Sequence, residues 1–188
     1  MSPHTLIRRF ICGPFESQVI GFSLDGAQHQ KEGINDKDGY SCTMANGLIA
    51  LAVADGVGSC PRARTGSQLA VEVIAELASD PAVARLVQHP DEEIIVKVIK
   101  QWEAKIPGDH ALYSTTLRFA LLSERLIFLG HIGDGITLVR IDDKTICLNS
   151  EELFANATYA LTHATDTLHM HIQRIEIPPD ALQLSLFL

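Results

Sequence analysis

Residues 48–54 form an uninterrupted apolar run, and this run limits the folds open to the chain more than any other segment does. It is long enough for a buried strand and too short for a buried helix, and Gly47 and Gly56 bound it. The Asn46-Gly47 pair is a strong signal for a tight hairpin turn, so we predict that residues 40–44 pair with the run. The chain is therefore expected to contain a β-hairpin whose second strand is buried.

After this hairpin the apolar pattern takes helical spacing and then returns to that of strands. The first helical stripe is Leu69, Ala70, Val73, Ile74 and Leu77, ended by Asp80-Pro81, and the second is Ile95, Val98, Ile99 and Trp102, with Asp91 as the expected N-cap. Strands are predicted at residues 19–24, 116–122, 126–131, 136–141 and 145–148. These blocks predict an α+β domain in which antiparallel sheets pack on each other and helices cover the outside.

Length, cysteine content and net charge limit the kinds of protein that this chain can be. With 188 residues, 46% of them hydrophobic, residues 1–188 are expected to form a single domain that buries roughly 70% of its unfolded surface. Four cysteines are scattered without a metal-ligand spacing, which favours reduced thiols and a cytoplasmic location. A net charge of −8 argues against nucleic-acid binding, and no apolar run approaches the ~20 residues of a membrane helix.

Two acidic residues flank the predicted hairpin. Asp38 precedes its first strand and Asp55 follows its second, so antiparallel pairing brings both carboxylates to the same end of the hairpin. Adjacent like charges repel unless a cation lies between them, and Mg²⁺ or Mn²⁺ prefers such oxygen ligands. The alternatives are an ordinary Asp-Gly turn at Asp55 and a solvated acidic loop around Asp38, which Lys37 would favour.

A third acid lies in Gly133-Asp134-Gly135, between two predicted strands. Alone, this segment is a common hairpin turn, and we interpret His131 just before it as a packed strand residue. The order of the motifs is more specific. Asp38, the segment Ala54-Asp55-Gly56-Val57-Gly58-Ser59, Gly66-Ser67 opening a helix, Ser114-Thr115-Thr116-Leu117 and Gly133-Asp134-Gly135 together resemble the protein phosphatase 2C (PPM) family, in particular its bacterial-type members.

This resemblance implies a fold and an activity. The implied fold is a central antiparallel β-sandwich flanked by helices in four layers. The implied activity is hydrolysis of phosphoserine and phosphothreonine in phosphorylated proteins by a water activated by two Mn²⁺ or Mg²⁺ ions, without a covalent intermediate. By motif position, Asp38, Asp55, Gly56 and Asp134 are the implied metal ligands, and Lys31 is the implied phosphate-binding residue. Val57 stands where many members carry a histidine acid, so no leaving-group donor is evident.

The resemblance breaks off at the end of the sequence. Residues 180–188 resemble the strand that, in the family, leads into a further metal-binding aspartate, and no such aspartate follows. We therefore expect a domain that is incomplete at its C-terminal end, with weak metal binding and reduced turnover. The alternative function is a catalytically impaired or non-catalytic phosphatase-like protein that binds phosphorylated partners.

Overall fold

The computed structural model describes residues 4–12, 15–23, 37–88, 92–149, 159–163 and 169–188. Within these ranges the strands are β1 (His4–Cys12), β2 (Phe15–Ser23), β3 (Gly39–Ala45), β4 (Leu48–Ala54), β5 (Leu117–Leu122), β6 (Leu126–Ile132), β7 (Ile136–Ile141), β8 (Lys144–Asn149), β9 (His171–Glu176) and β10 (Leu184–Phe187). The α-helices are α1 (Ala63–Ser79), α2 (Pro81–Gln88) and α3 (Glu93–Lys105), and short 3-10 helices span His110–Tyr113 and Leu161–His163.

A five-stranded antiparallel sheet, in the order β3-β4-β5-β6-β9, forms the centre of the fold. The predicted hairpin is confirmed as β3 and β4, with Gly39 paired to Ala54 and Ala45 to Leu48. Asn46 and Gly47 have φ angles of 50° and 75°, as a two-residue hairpin turn of the favoured hand requires. The pairing leaves the two ends of the hairpin that carry Asp38 and Asp55 side by side.

The three helices share a core with one face of this sheet. The stripe predicted in α1 faces this core: Leu69 is half-buried and the other four residues of the stripe are buried. The stripe predicted in α3, Ile95, Val98, Ile99 and Trp102, is also buried. The indole nitrogen of Trp102 donates to the carbonyl oxygen of Gly66 at 3.0 Å, so α3 is joined to α1 by a buried hydrogen bond as well as by apolar contact. This layer fixes the position of the first turns of α1, next to Asp55.

A second sheet, in the order β10-β7-β8, packs on the opposite face of the five-stranded sheet. The core between the sheets includes Ile49, Leu129, Val139 and Ile175. The predicted α+β fold with packed antiparallel sheets is thus confirmed. The described residues build it as a helical layer and two packed sheets, and β1 and β2 pair in a separate two-stranded sheet. No helix among those residues is long and apolar enough to cross a membrane.

Some elements differ from the prediction. Asp80-Pro81 ends α1 as expected but also begins α2: Asp80 Oδ1 accepts a hydrogen bond from the amide of Ala82 at 2.9 Å, and proline is well suited to the first position of a helix. Strand β1 was not predicted, and β2 begins before residue 19. The expected N-cap Asp91 lies outside the described residues.

Candidate functional site

A cleft of about 400 Å³ lies at the end of the β3–β4 hairpin, next to the turn before β7. Asp38, Asp55 and Asp134 all line it, although they come from distant parts of the sequence. A larger groove of about 860 Å³ lies between β1–β2 and the two packed sheets, but none of the three acids lines it. The smaller cleft is therefore the candidate site.

The hairpin places Asp38 and Asp55 next to each other. Gly39 pairs with Ala54, so Asp38, just before β3, and Asp55, just after β4, lie at the same end of the hairpin, as topology predicts. Both residues are exposed at the cleft. The geometry that the sequence predicts is present, and the roles of the two residues as metal ligands remain predictions.

The main chain of Asp55 is held by the segment before β5. Its carbonyl oxygen accepts hydrogen bonds from the amide of Thr116 at 2.8 Å and from the hydroxyl of Thr115 at 2.9 Å. Its amide donates to Oγ1 of Thr116 at 3.0 Å. The two threonines therefore fix the backbone that carries the Asp55 carboxylate.

Close backbone packing joins the Asp38 and Asp55 segments. A Cβ atom added at Gly56 would lie 2.7 Å from the carbonyl oxygen of Lys37 and 2.9 Å from that of Ala63, so no larger residue fits there. Lys37 Nζ donates to the carbonyl oxygen of Gly58 at 2.6 Å. Lys37 is thus bonded to the turn that follows Asp55. Gly56 itself is buried.

The Gly133-Asp134-Gly135 turn presents the third acid. Both glycines have positive φ angles, 100° and 111°, which other residues adopt only with strain. A side chain at Gly133 would also meet Thr116, whose Cγ2 lies 2.5 Å from the position of an added Cβ. The turn therefore packs directly on the residue that holds Asp55.

Arg118, which was not predicted as a site residue, is the basic residue among the described residues that line the cleft. Its side chain is 4% exposed, and its Nε donates to the carbonyl oxygen of Asp134 at 3.1 Å. Nη1 donates to Thr137 Oγ1 at 3.1 Å, and Nη2 donates to the carbonyl oxygen of Gly135. Burial lowers the pKa of Arg118, and the charge of Asp134 acts in the opposite direction.

A signal for Arg118 was present in the sequence. All six residues of β5 are buried, and Arg118 is the charged one among them. A guanidinium group in an otherwise apolar strand is costly to bury unless acceptors surround it, so it marks a place where polar groups converge.

His131 lies beside Arg118 in the sheet. The β5–β6 register pairs the two residues, and the β6–β9 register pairs His131 with His171, whose ring stacks on it at a centroid distance of 5.1 Å. Burial, together with the charges of Arg118 and His171, lowers the pKa of His131 to about 4. The structure supports the interpretation of His131 as a packed strand residue.

The donor chemistry of the cleft suits a hard divalent cation. The three acids offer only oxygen ligands, and Mg²⁺ commonly binds to one or two carboxylates while it keeps several waters. In the part of the chain that the structure describes, however, no three His, Cys, Asp or Glu side chains come close enough together to form a complete protein-only metal site. The predicted phosphate-binding residue Lys31 lies outside the described residues.

Comparison with known proteins identifies the fold. A bacterial serine phosphatase structure matches with a TM-score of 0.60 at 12% identity, over 93% of this chain and 74% of that one. The S. agalactiae serine/threonine phosphatase structure matches with a TM-score of 0.57 at 12% identity, over 94% of this chain and 75% of that one. Staphylococcus aureus Stp1, a serine/threonine phosphatase, has a TM-score of 0.53 at 14% identity, over 100% and 71%. At such identities these matches establish shared architecture alone.

The curated proteins contain no match to the chain. The family model described as Protein phosphatase 2C matches residues 25–185, which include all three acids of the cleft. That match spans most of the sequence and agrees with the fold. The chain therefore belongs to the protein phosphatase 2C family.

Proposed function

We propose that the chain is a metal-dependent protein serine/threonine phosphatase that acts on phosphorylated proteins in the cytoplasm. The observation that carries the proposal is the convergence of Asp38, Asp55 and Asp134 on one cleft. Three carboxylates at one opening repel one another, and a divalent cation would relieve that repulsion. The free thiols of Cys42 and Cys60 are compatible with a reducing compartment.

Asp38 and Asp55 would bind the Mn²⁺ or Mg²⁺ ions, with the Gly56 carbonyl as a further ligand and Asp134 at an additional, weaker position. When bound, such ions supply an activated water and neutralise charge on the phosphoryl oxygens. The chain's own contribution is positional. Thr115 and Thr116 hold the Asp55 backbone, and Lys31 would bind the substrate phosphate as the family pattern implies.

A second function is binding of phosphorylated partners without hydrolysis. It is favoured by the lack of a group of three potential metal-ligating side chains in close proximity among the described residues. With fewer protein ligands the cleft would hold cations weakly, and turnover would fall while a phosphorylated peptide could still bind.

Manganese-dependent hydrolysis of p-nitrophenyl phosphate and of a phosphothreonine peptide tests the proposal. We expect activity that rises with Mn²⁺ and falls at least tenfold in Asp38→Asn and Asp55→Asn. Asp143→Asn is the matched control, because Asp143 is an exposed turn aspartate that does not line the cleft, and its activity should equal that of the unmodified chain.

Two outcomes would contradict the proposal. Hydrolysis that survives both Asp38→Asn and Asp55→Asn would place the chemistry elsewhere. Hydrolysis that never exceeds the Asp55→Asn level, together with retained phosphopeptide binding measured by fluorescence anisotropy, would establish the second function.

A further inference from the structure

Arg118 connects the centre of the five-stranded sheet to the turn that carries Asp134. It lies on β5, paired with Val53 of β4 on one side and His131 of β6 on the other. Its guanidinium group reaches out of this sheet and donates to the main chain of Asp134 and Gly135. A rigid strand is thereby bonded to a surface turn.

The bonds to the turn are of a kind that lysine cannot reproduce. A guanidinium group presents its donors in a fixed planar fork, and here Nε and Nη2 bind two successive carbonyl oxygens while Nη1 binds the Thr137 hydroxyl. Loss of the fork would leave the buried Thr137 hydroxyl and two part-buried carbonyl oxygens without their donor, which is costly. The turn therefore has one favoured position relative to β5.

Gly135 allows this close approach. A Cβ atom at this position would lie 2.7 Å from Arg118 Nε, so any side chain on the inner side of the turn would displace the guanidinium group. Its φ of 111° sets the path of the chain directly after Asp134. Arg118 and the turn fit each other as a unit.

We propose that Arg118 is a positioning residue that fixes the main chain of Asp134 and so sets the affinity of the cleft for divalent cations. This inference rests on the proposed function, because it assumes that the cleft binds such cations. Arg118 acts through Asp134 and does not itself contact the cation or the substrate.

Positioning and simple charge make opposite predictions. A nearby positive charge repels Mn²⁺, so if charge alone mattered, Arg118→Met would bind Mn²⁺ more tightly and Arg118→Lys would bind it as the unmodified chain does. If Arg118 positions Asp134, both substitutions weaken binding. Arg118→Lys is the decisive variant, because it keeps the charge and removes the fork.

Mn²⁺ binding is measured by isothermal titration calorimetry without substrate. We expect Arg118→Lys and Arg118→Met to weaken Mn²⁺ affinity by about tenfold, and Asp134→Asn to do at least as much. Arg140→Lys is the matched control: Arg140 is also a strand arginine whose Nε donates to a turn carbonyl, that of Asp142, but it does not line the cleft. Its affinity should be unchanged.

A double variant tests whether Arg118 influences Mn²⁺ affinity through Asp134. Arg118→Lys combined with Asp134→Asn should bind Mn²⁺ no more weakly than Asp134→Asn alone, because Arg118 acts through Asp134. Circular dichroism and urea unfolding verify that each variant folds. If Arg118→Met does not fold, Thr137→Val removes the Nη1 acceptor while it leaves Arg118 in place, and we expect it to weaken Mn²⁺ binding in the same direction.

The inference is overturned if Arg118→Lys binds Mn²⁺ like the unmodified chain, if Arg118→Met binds it more tightly, or if the two substitutions add in full. It also falls if the unmodified chain binds no Mn²⁺. A chain that binds Mn²⁺ and responds as expected but hydrolyses no phosphate ester would refute the proposed function and leave this inference standing.

Discussion

Thr116 supports two of the three acids with a single side chain. Its hydroxyl accepts the Asp55 amide at 3.0 Å, and its methyl group lies under Gly133, where an added Cβ would be 2.5 Å away. The hydroxyl contacts the backbone of Asp55, and the methyl group contacts the turn that carries Asp134. Separate loss of each group therefore tests each contact.

Thr116→Val keeps the shape of the side chain and removes the acceptor. We expect the free energy of unfolding, measured in urea, to fall by about 1–2 kcal/mol, because the Asp55 amide loses its partner. Phosphatase activity should fall as well. Thr116→Ser is the comparison, since it keeps the hydroxyl and removes only the methyl group, and it should retain more activity than Thr116→Val. Equal activities for the valine and serine variants would contradict the role given to the hydroxyl.

His131 should make stability depend on pH. Its pKa in the folded protein is about 4, mainly because of burial, whereas an unfolded histidine has a pKa of about 6.5. Between these values the unfolded chain binds the extra proton, so the folded state loses stability as pH falls from about 6.5 to about 4. Above pH 6.5 the effect is absent.

Comparison with His131→Gln isolates this contribution. Between pH 7 and pH 4 the unmodified chain should lose on the order of 2 kcal/mol more unfolding free energy than the variant, a value below that of the full pKa shift because the half-buried imidazole is partly screened by solvent. The measurement is urea unfolding at a series of pH values. Parallel stability curves for the two proteins would show that His131 is not held neutral by its surroundings.

The three acids that line the cleft could be predicted from the sequence, but the residues that hold them in place could not. Asp38, Asp55 and Asp134 each sit at a strand end or glycine turn, so local sequence marks them. Arg118 is marked only by its buried apolar strand, and its partners Asp134 and Gly135 depend on how β7 approaches β5. Such contacts are tertiary and have no local pattern.

Among the elements, α1 depends on a close approach to the 3-10 helix at His110–Tyr113. A Cβ atom at Gly66 would lie 1.8 Å from the carbonyl oxygen of Tyr113. Gly66 also accepts the hydrogen bond from the Trp102 indole. The absence of a side chain at Gly66 therefore lets three elements meet at one point.

Gly66→Ala should lower the unfolding free energy by about 3 kcal/mol or more, although alanine favours helix by about 1 kcal/mol over glycine. Gly58→Ala is the matched control, because nothing lies within 4 Å of an added Cβ there, and its effect should be about 0.5 kcal/mol or less. Thermal or urea unfolding measures both. A Gly66→Ala protein as stable as the Gly58→Ala protein would contradict the close approach.

Element prediction succeeded where the pattern was strongly periodic. The β3–β4 hairpin, the buried stripes of α1 and α3, and the strands after Ser114 follow directly from apolar spacing and turn residues. Helix α2 was missed because Pro81 was interpreted as a stop, whereas a proline can equally open a helix. Proline can end one helix or begin the next, and only the packing of the residues that follow Pro81 decides between the two.

For the whole molecule, cation binding should raise stability. A ligand that binds only the folded state stabilises it by about 2.7 kcal/mol at a concentration 100 times its dissociation constant. We expect Mn²⁺ to raise the unfolding temperature in differential scanning calorimetry and EDTA to reverse the increase. Asp55→Asn should show a much smaller increase, with Asp143→Asn as the control. An equal increase in both variants would place Mn²⁺ binding outside the cleft.

The order of the strands along the chain determines the order in which the parts of the cleft are synthesised. Asp38 and Asp55 are synthesised with the β3–β4 hairpin, whereas Asp134 follows only after β5 and β6, and Arg118 must already be in the sheet to bind the Asp134 turn. A partly synthesised or partly refolded chain therefore holds an unfinished cleft. Cation binding at the proposed site would therefore reach its full affinity only after the turn before β7 docks, because a nascent chain that ends before this turn lacks one of the three acids.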